Sequence, residues 1–134
     1  MQADHPELFW LTATIILTAL LWVPYILQLI VQLGPVKAIW DPTGAHPHEA
    51  AWALRAKKAH YNAVENLVVF APLAIMVDYL HLGTPATATA CAAYFGLRLA
   101  HYIIYTLALP VIRTLVFLAG FGCQMVLAFR LLGL

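Results

Sequence analysis

The strongest constraint on the fold is a run of 29 residues, Leu8–Val36, that contains no Asp, Glu, Lys, Arg or His. About 20 apolar residues cross the hydrocarbon core of a bilayer as a helix, so this run predicts a membrane-spanning helix over about residues 8–33. Trp10 and Trp40 flank the run, as aromatic anchors at membrane interfaces often do. Pro24 lies inside it and predicts a kink, because proline removes a helical hydrogen bond.

The rest of the chain is also apolar. Of its 134 residues 63% are hydrophobic and 10% are charged, which is too apolar for a soluble domain of this size. The net charge of +1 gives no reason to expect a nucleic-acid partner. Further helices are predicted over about residues 49–80, 85–107 and 110–132, and Lys37–His48 is the predicted loop, with a turn at Asp41–Gly44. The expected fold is therefore all-α: an integral membrane four-helix bundle in which the whole chain is one domain.

The distribution of cations predicts the orientation in the membrane. Arg113 and the first loop lie on the same side of the predicted bundle, and only Arg130 lies on the other. The cations in or beside that loop are Lys37, Arg55, Lys57 and Lys58. The positive-inside rule places this loop in the cytoplasm and both termini outside. The first seven residues contain Asp4 and Glu7 but no Lys or Arg, so no cleavable signal peptide is expected.

A polar stretch, Arg55–Asn66, leads directly into the apolar run Leu67–Val77. At about 100° per residue, four of its side chains share a sector of roughly 80° on a helix. These four are Arg55, Lys58, Asn62 and Glu65. Ionisable groups at membrane depth are costly and need partners or a function. The plain alternative is a belt of side chains that extend to the membrane interface.

The third predicted helix has a second polar stripe. Arg98, His101 and Tyr105 follow one another at i, i+3 and i+7, which places them within about 60° of one another. A single His or Tyr at such a position is more often an interior residue with satisfied hydrogen bonds. Three polar residues in register are harder to explain in that way, so the stripe is a candidate site.

Counting residues from the turn between the second and third helices matches the two stripes in depth. Glu65 and Arg98 both lie roughly 21–23 Å from that turn, which predicts a buried ion pair between them. The same count places Asn62 near His101, and Lys58 near Tyr105.

Several cations, one carboxylate, an amide, an imidazole and phenols suit a zwitterionic, multiply anionic small molecule. A metal fits poorly, because Arg and Lys would oppose it and no paired carboxylates exist. The chain has no Ser/His/Asp constellation and no glycine-rich phosphate loop. A proton relay remains open on these residues alone.

Three segments resemble a known family. Lys58–Asn66 reads KAHYNAVEN and resembles the RAHxNxxEN signature of the MAPEG family, the membrane-associated proteins in eicosanoid and glutathione metabolism. Arg98–Tyr105 resembles the RxxHxxxY pattern of its third helix, and Pro110–Arg113 resembles the entry to its fourth. The resemblance covers nearly the whole chain. It implies a homotrimer that binds glutathione, as a co-substrate and without a metal, between neighbouring subunits near the cytoplasmic side.

The resemblance also implies roles for individual residues. Contacts to glutathione are expected from Lys58, Asn62, Glu65, His101 and Tyr105. Arg113 is expected to stabilise the thiolate, with a hydrogen bond from Tyr105 to the same sulfur, and Arg98 to help hold the site. The family commonly has Arg where this chain has Lys58, and Lys cannot form the bidentate fork to a carboxylate. Arg55 is the expected substitute.

The implied activity is conjugation of glutathione to lipophilic electrophiles that enter from the membrane lipid, with reduction of lipid hydroperoxides as a related activity. Prostaglandin-synthesising members have Arg where this chain has Tyr61, which argues against that activity. The chain is most similar to the short bacterial members, so a bacterial inner membrane is the expected location. The alternative is a non-catalytic binding or scaffold protein. A proton- or ion-translocating bundle is less favoured, because the chain of Asp and Glu residues that such relays use is missing.

Overall fold

The computed structural model describes residues 4–40, 44 and 46–134, so most of the predicted turn at Asp41–Gly44 lies outside it. Over this part of the chain the structure is all-helical, without strands. The helices are α1 (Pro6–Leu20), α2 (Val23–Leu33), α3 (Pro35–Ile39), α4 (Ala51–Tyr79), α5 (Pro85–Thr106) and α6 (Pro110–Leu131). With α1 and α2 taken as one bent span, the described residues form five helices and not the four predicted. The addition is α3, a single five-residue helix at the start of the predicted loop.

Three helices of the described chain are long and apolar enough to cross a membrane. They are the span Pro6–Leu33, α4 and α6. Helix α5 has 22 residues and therefore has the length of a membrane helix, but its polar residues leave it without a continuous stretch as apolar as those of the other three. The four long helices begin and end within two residues of the predicted bounds.

The break in the first span is found next to Pro24. Helix α1 ends at Leu20, and Pro24 is the second residue of α2. Proline lacks an N–H, and its ring clashes with the carbonyl four residues earlier, which here belongs to Leu20. The hydroxyl of Tyr102 donates to the carbonyl of Leu21 at 3.0 Å. A side chain of α5 therefore bonds to a carbonyl between α1 and α2, where the span bends.

Small side chains let α4 approach its neighbours closely. Four alanines of α4 are buried against Leu21, Tyr25 and Tyr102, and small residues are typical of close helix contacts in membranes. The four are Ala53, Ala56, Ala59 and Ala63. Farther along α4, the ring of Phe70 stacks on that of Tyr94 with centroids 3.8 Å apart. This packing brings Asn62 of α4 next to Arg98 of α5.

Two glutamines of α2 hold the segment that leads into α4. Gln32 donates to the carbonyl of Pro47 at 3.1 Å and accepts from the backbone N–H of Glu49 at 3.0 Å. His48 lies 2.8 Å from the side-chain oxygen of Gln28. Burial, with Lys57 as a second cause, lowers the pKa of His48, which favours the neutral ring that donates one N–H to Gln28.

At the opposite end of the bundle, Glu7 joins α1 to the start of α5. Its side chain is only 2% exposed, and its carboxylate accepts from the hydroxyl of Thr87 at 2.6 Å. Thr87 also forms a capping box with Thr84, which satisfies free N–H groups at the helix start. A Cβ at Gly83 would lie 3.1 Å from Glu7 Oε1, so the turn leaves room for the carboxylate.

We predict that Thr87→Val lowers the free energy of unfolding by about 1–3 kcal/mol, because it leaves a buried carboxylate without its donor and removes one hydrogen bond of the capping box. Thermal unfolding in detergent measures the effect. Thr89→Val is the matched control, since the hydroxyl of Thr89 is exposed and bonds only to the carbonyl of Pro85 in its own helix. Equal melting temperatures for the two variants would show that the Glu7 contact contributes nothing.

Candidate functional site

A cavity of about 260 Å³ opens near the end of the bundle where α5 meets α6. We call it the polar cavity. Its lining comes from α4, α5 and α6: Asn62, His101, Tyr105, Arg113, Thr114 and Phe117. Four of these residues belong to the predicted site, although three different helices contribute them. The fold therefore brings together residues that are as many as 51 positions apart in the sequence.

The cavity has one strongly positive side. The guanidinium carbon of Arg113 lies 4.5 Å from the ring centroid of Tyr105, a contact that the quadrupole of the ring favours. The ring of His101 meets that of Tyr105 edge-on at 5.7 Å. Arg113 lies in the first turn of α6, where the helix dipole adds positive potential. This arrangement is suited to stabilising an anion next to a phenol hydroxyl.

Arg98 lies behind the cavity and not in its lining. Its side chain is 2% exposed, and Nη1 lies 3.4 Å from Oδ1 of Asn62. The guanidinium carbon is 5.1 Å from the ring centroid of Tyr94 and 5.7 Å from that of Phe117. Nε and Nη2 are buried and have no hydrogen-bond partner among the described residues. Arg98 thus places a cation behind Asn62 and Phe117.

The predicted ion pair between Glu65 and Arg98 is wrong for the single protomer. Glu65 is exposed, and the side chain within reach of Arg98 is that of Asn62. Counting residues from the turn gives depth along the helices but not rotation about their axes. Helix α4 is rotated so that Asn62 and Asn66 face inward, while Glu65 lies on the exposed side.

Besides Arg98 and Glu65, two further predicted binding residues do not line the polar cavity. Nε of Arg55 donates to the carbonyl of Thr106, the last residue of α5, at 2.9 Å. Lys58 is exposed. In this protomer, Arg55 therefore stabilises the C-terminal end of a helix, where cations are favoured.

Helix α6 contributes more to the site than Arg113, the one residue of this helix that was predicted there. Phe117 lines the cavity, and Gln124 donates to the carbonyl of Asn66 at 3.2 Å and to the hydroxyl of Tyr94 at 3.4 Å. The signal was present in the sequence. Arg113, Phe117, Gly120 and Gln124 are spaced by four, three and four residues, which places them on one face of a helix.

We predict that Arg55→Gln lowers the free energy of unfolding by about 1 kcal/mol, because it removes a charged donor from the end of α5. Lys37→Gln is the charge-matched control, since Lys37 is exposed on α3. Thermal unfolding of both variants measures the difference. If Arg55→Gln is as stable as the control, Arg55 does not stabilise the C-terminal end of α5, and its role lies elsewhere.

Comparison with known families adds one finding. The family model described as the MAPEG family matches residues 8–133, nearly the whole chain. Comparisons with curated proteins and with solved structures find no match. The matched range includes all the residues that line the polar cavity.

Proposed function

The chain belongs to the MAPEG family and is a membrane protein, and on that premise we propose that it is a glutathione transferase that conjugates glutathione to lipophilic electrophiles. The observation that carries the proposal is the polar cavity. It brings together Asn62, His101, Tyr105 and Arg113, residues that the resemblance assigns to glutathione. Glutathione is a co-substrate in this proposal, and no metal takes part.

The proposed chemistry depends on the ionisation of the glutathione thiol. A free thiol has a pKa of about 8.5, and only its thiolate is a good nucleophile. Arg113 stays charged at all relevant pH values, and a cation close to the sulfur lowers the pKa of the thiol. Tyr105 lies against Arg113 and donates its O–H to the same sulfur. Asn62 and His101 bind the polar groups of the tripeptide.

In the conjugation step the thiolate attacks the electrophilic carbon, a C–S bond forms, and the leaving group departs with its electron pair. The thiol proton passes to solvent. The same thiolate reduces a lipid hydroperoxide when a second glutathione completes the reaction, giving the alcohol, water and glutathione disulfide. The electrophile enters from the bilayer and glutathione from the cytoplasm. A bacterial inner membrane with both termini outside, as the positive-inside rule suggests, accommodates both routes.

An exposed stripe on α4, which we call the α4 seam, supports self-association of the chain, and the family resemblance makes a homotrimer the proposed assembly. Its residues alternate at spacings of four and three: Leu54, Lys58, Tyr61, Glu65, Val68, Pro72, Ile75 and Tyr79. This is the spacing of helices that pack against one another. Glu65 lies at the centre of α4, and a carboxylate facing lipid there is costly. Other copies of the chain are the proposed cover.

The size of the polar cavity also favours a shared site. Pockets that hold small-molecule ligands usually measure about 300–1,000 Å³, and the cavity of one protomer measures about 260 Å³. In the proposed trimer a neighbouring subunit completes the site, and Lys58 and Glu65 reach glutathione or its surroundings through that interface.

We predict that native mass spectrometry of the protein released from detergent detects trimers. Glu65→Gln should lower the trimer fraction, because it removes the carboxylate that the proposed trimer shields from lipid. Glu49→Gln is the control: Glu49 is exposed and lies outside the helices, so this change should leave the trimer fraction as it is. Spectra with only monomers or dimers would overturn the trimeric assembly.

We predict that Arg113→Leu retains much of the glutathione affinity but loses most of the conjugation rate with a chlorinated aromatic electrophile. If Arg113 lowers the thiol pKa by two units, from about 8.5 to about 6.5, its loss corresponds to about 2.7 kcal/mol. The thiolate fraction at pH 7 then falls by about 25-fold. Ultraviolet absorbance of bound thiolate, followed against pH, measures this directly.

In the variant the thiolate band should therefore appear only at distinctly alkaline pH. Retention of the parental signal at neutral pH would assign thiol activation to another residue, with Tyr105 tested next through Tyr105→Phe. A parent protein that binds glutathione without conjugating it would support the non-catalytic alternative.

A further inference from the structure

Helix α6 contacts Arg98 at a glycine. A Cβ built on Gly120 would overlap Nη2 of Arg98 and would lie 3.2 Å from its guanidinium carbon. Gly120 is itself buried, so the guanidinium is packed directly against the backbone of α6. We call this space the Gly120 slot. Arg98 occupies it only because residue 120 has no side chain.

The slot determines where the guanidinium lies behind the polar cavity. From this position Nη1 of Arg98 faces Oδ1 of Asn62 at 3.4 Å. Because the oxygen of the Asn62 amide faces Arg98, its NH₂ group is left for the cavity that Asn62 lines. An amide in this orientation donates to an anionic group of a ligand.

We propose that Gly120 is a positioning residue for the glutathione site, acting through Arg98 on Asn62. The inference rests on the proposed function and deepens it. The Gly120 slot holds the guanidinium against α6, and the guanidinium fixes the amide of Asn62 as a donor toward a carboxylate of glutathione. It also keeps a positive charge behind the cavity that attracts this anionic ligand.

A methyl group on residue 120 overlaps Nη2 and displaces the guanidinium from its position against the backbone of α6. The donor orientation of Asn62 is then lost, while Arg113 and Tyr105 keep their contact on the other side of the cavity. The expected consequence is weaker glutathione binding with little change in the chemical step.

The test is steady-state conjugation by Gly120→Ala, with glutathione varied at saturating electrophile. We expect KM for glutathione to rise about tenfold, the equivalent of one charge-assisted hydrogen bond, and kcat to stay within about twofold. Gly122→Ala is the matched control, since a Cβ on Gly122 in the same helix meets no atom within 4 Å. Its KM and kcat should equal those of the parent.

A second pair of variants separates positioning from general damage. Arg98→Lys removes the Nη2 atom with which the new methyl group collides, so Gly120→Ala in the Arg98→Lys background should add little to the loss caused by Arg98→Lys alone. If the two substitutions acted independently, their effects on KM, expressed as free energies, would instead add. If Gly120→Ala alone does not fold, a folded double variant with the KM of Arg98→Lys alone still shows that the methyl group acts through the guanidinium, and a double variant with a higher KM overturns the positioning role.

The outcomes are distinct. If the parent binds and conjugates glutathione but Gly120→Ala matches Gly122→Ala, the positioning role is overturned and the proposed function stands. If Gly120→Ala raises KM for glutathione by the same factor in the parent and in the Arg98→Lys background, the positioning role is also overturned. If the parent neither binds nor conjugates glutathione, the proposed function is wrong, and the positioning role is rejected with it.

Discussion

The structure depends on the cost of placing charge in a lipid bilayer. A chain with this many apolar residues has few places for an arginine that is fully removed from water, yet Arg98 lies in the interior of a helical bundle. Ionisable groups at such depth are retained when protein groups surround them. Here the faces of two aromatic rings and the amide of Asn62 supply that environment. The packing of α4, α5 and α6 around this one cation gives the polar cavity its back wall.

Small residues make this arrangement sterically feasible. The buried alanines of α4 allow close contact with the helices that carry Tyr25 and Tyr102, and Gly120 lets the backbone of α6 approach the guanidinium of Arg98. A bulkier residue at either place would separate the helices and move the polar groups out of register. The polar cavity therefore depends on the short distances between the helix backbones as well as on the polar residues that line it.

Most of the fold could be predicted from the sequence, because the length and periodicity of apolar segments indicate membrane helices directly. The sequence also identified four cavity residues, since Asn62, His101, Tyr105 and Arg113 fall in recognisable stripes. It gave the wrong partner for Arg98, because counting residues measures depth along a helix and not rotation about it. Two features were missed although local signals for them were present. Helix α3 begins with Pro35, a common first residue of a helix, and the inward position of Gln124 follows the helical spacing on α6.

We propose that the polar cavity, completed by a neighbouring subunit, binds glutathione. The most direct measurement is a cryo-electron microscopy map of the protein in detergent or nanodiscs with saturating glutathione. We expect tripeptide density against Asn62, His101 and Tyr105, with its sulfur beside Arg113. Tripeptide density at another place on the protein, or a glutathione-free cavity in a map that resolves these side chains, would contradict the account.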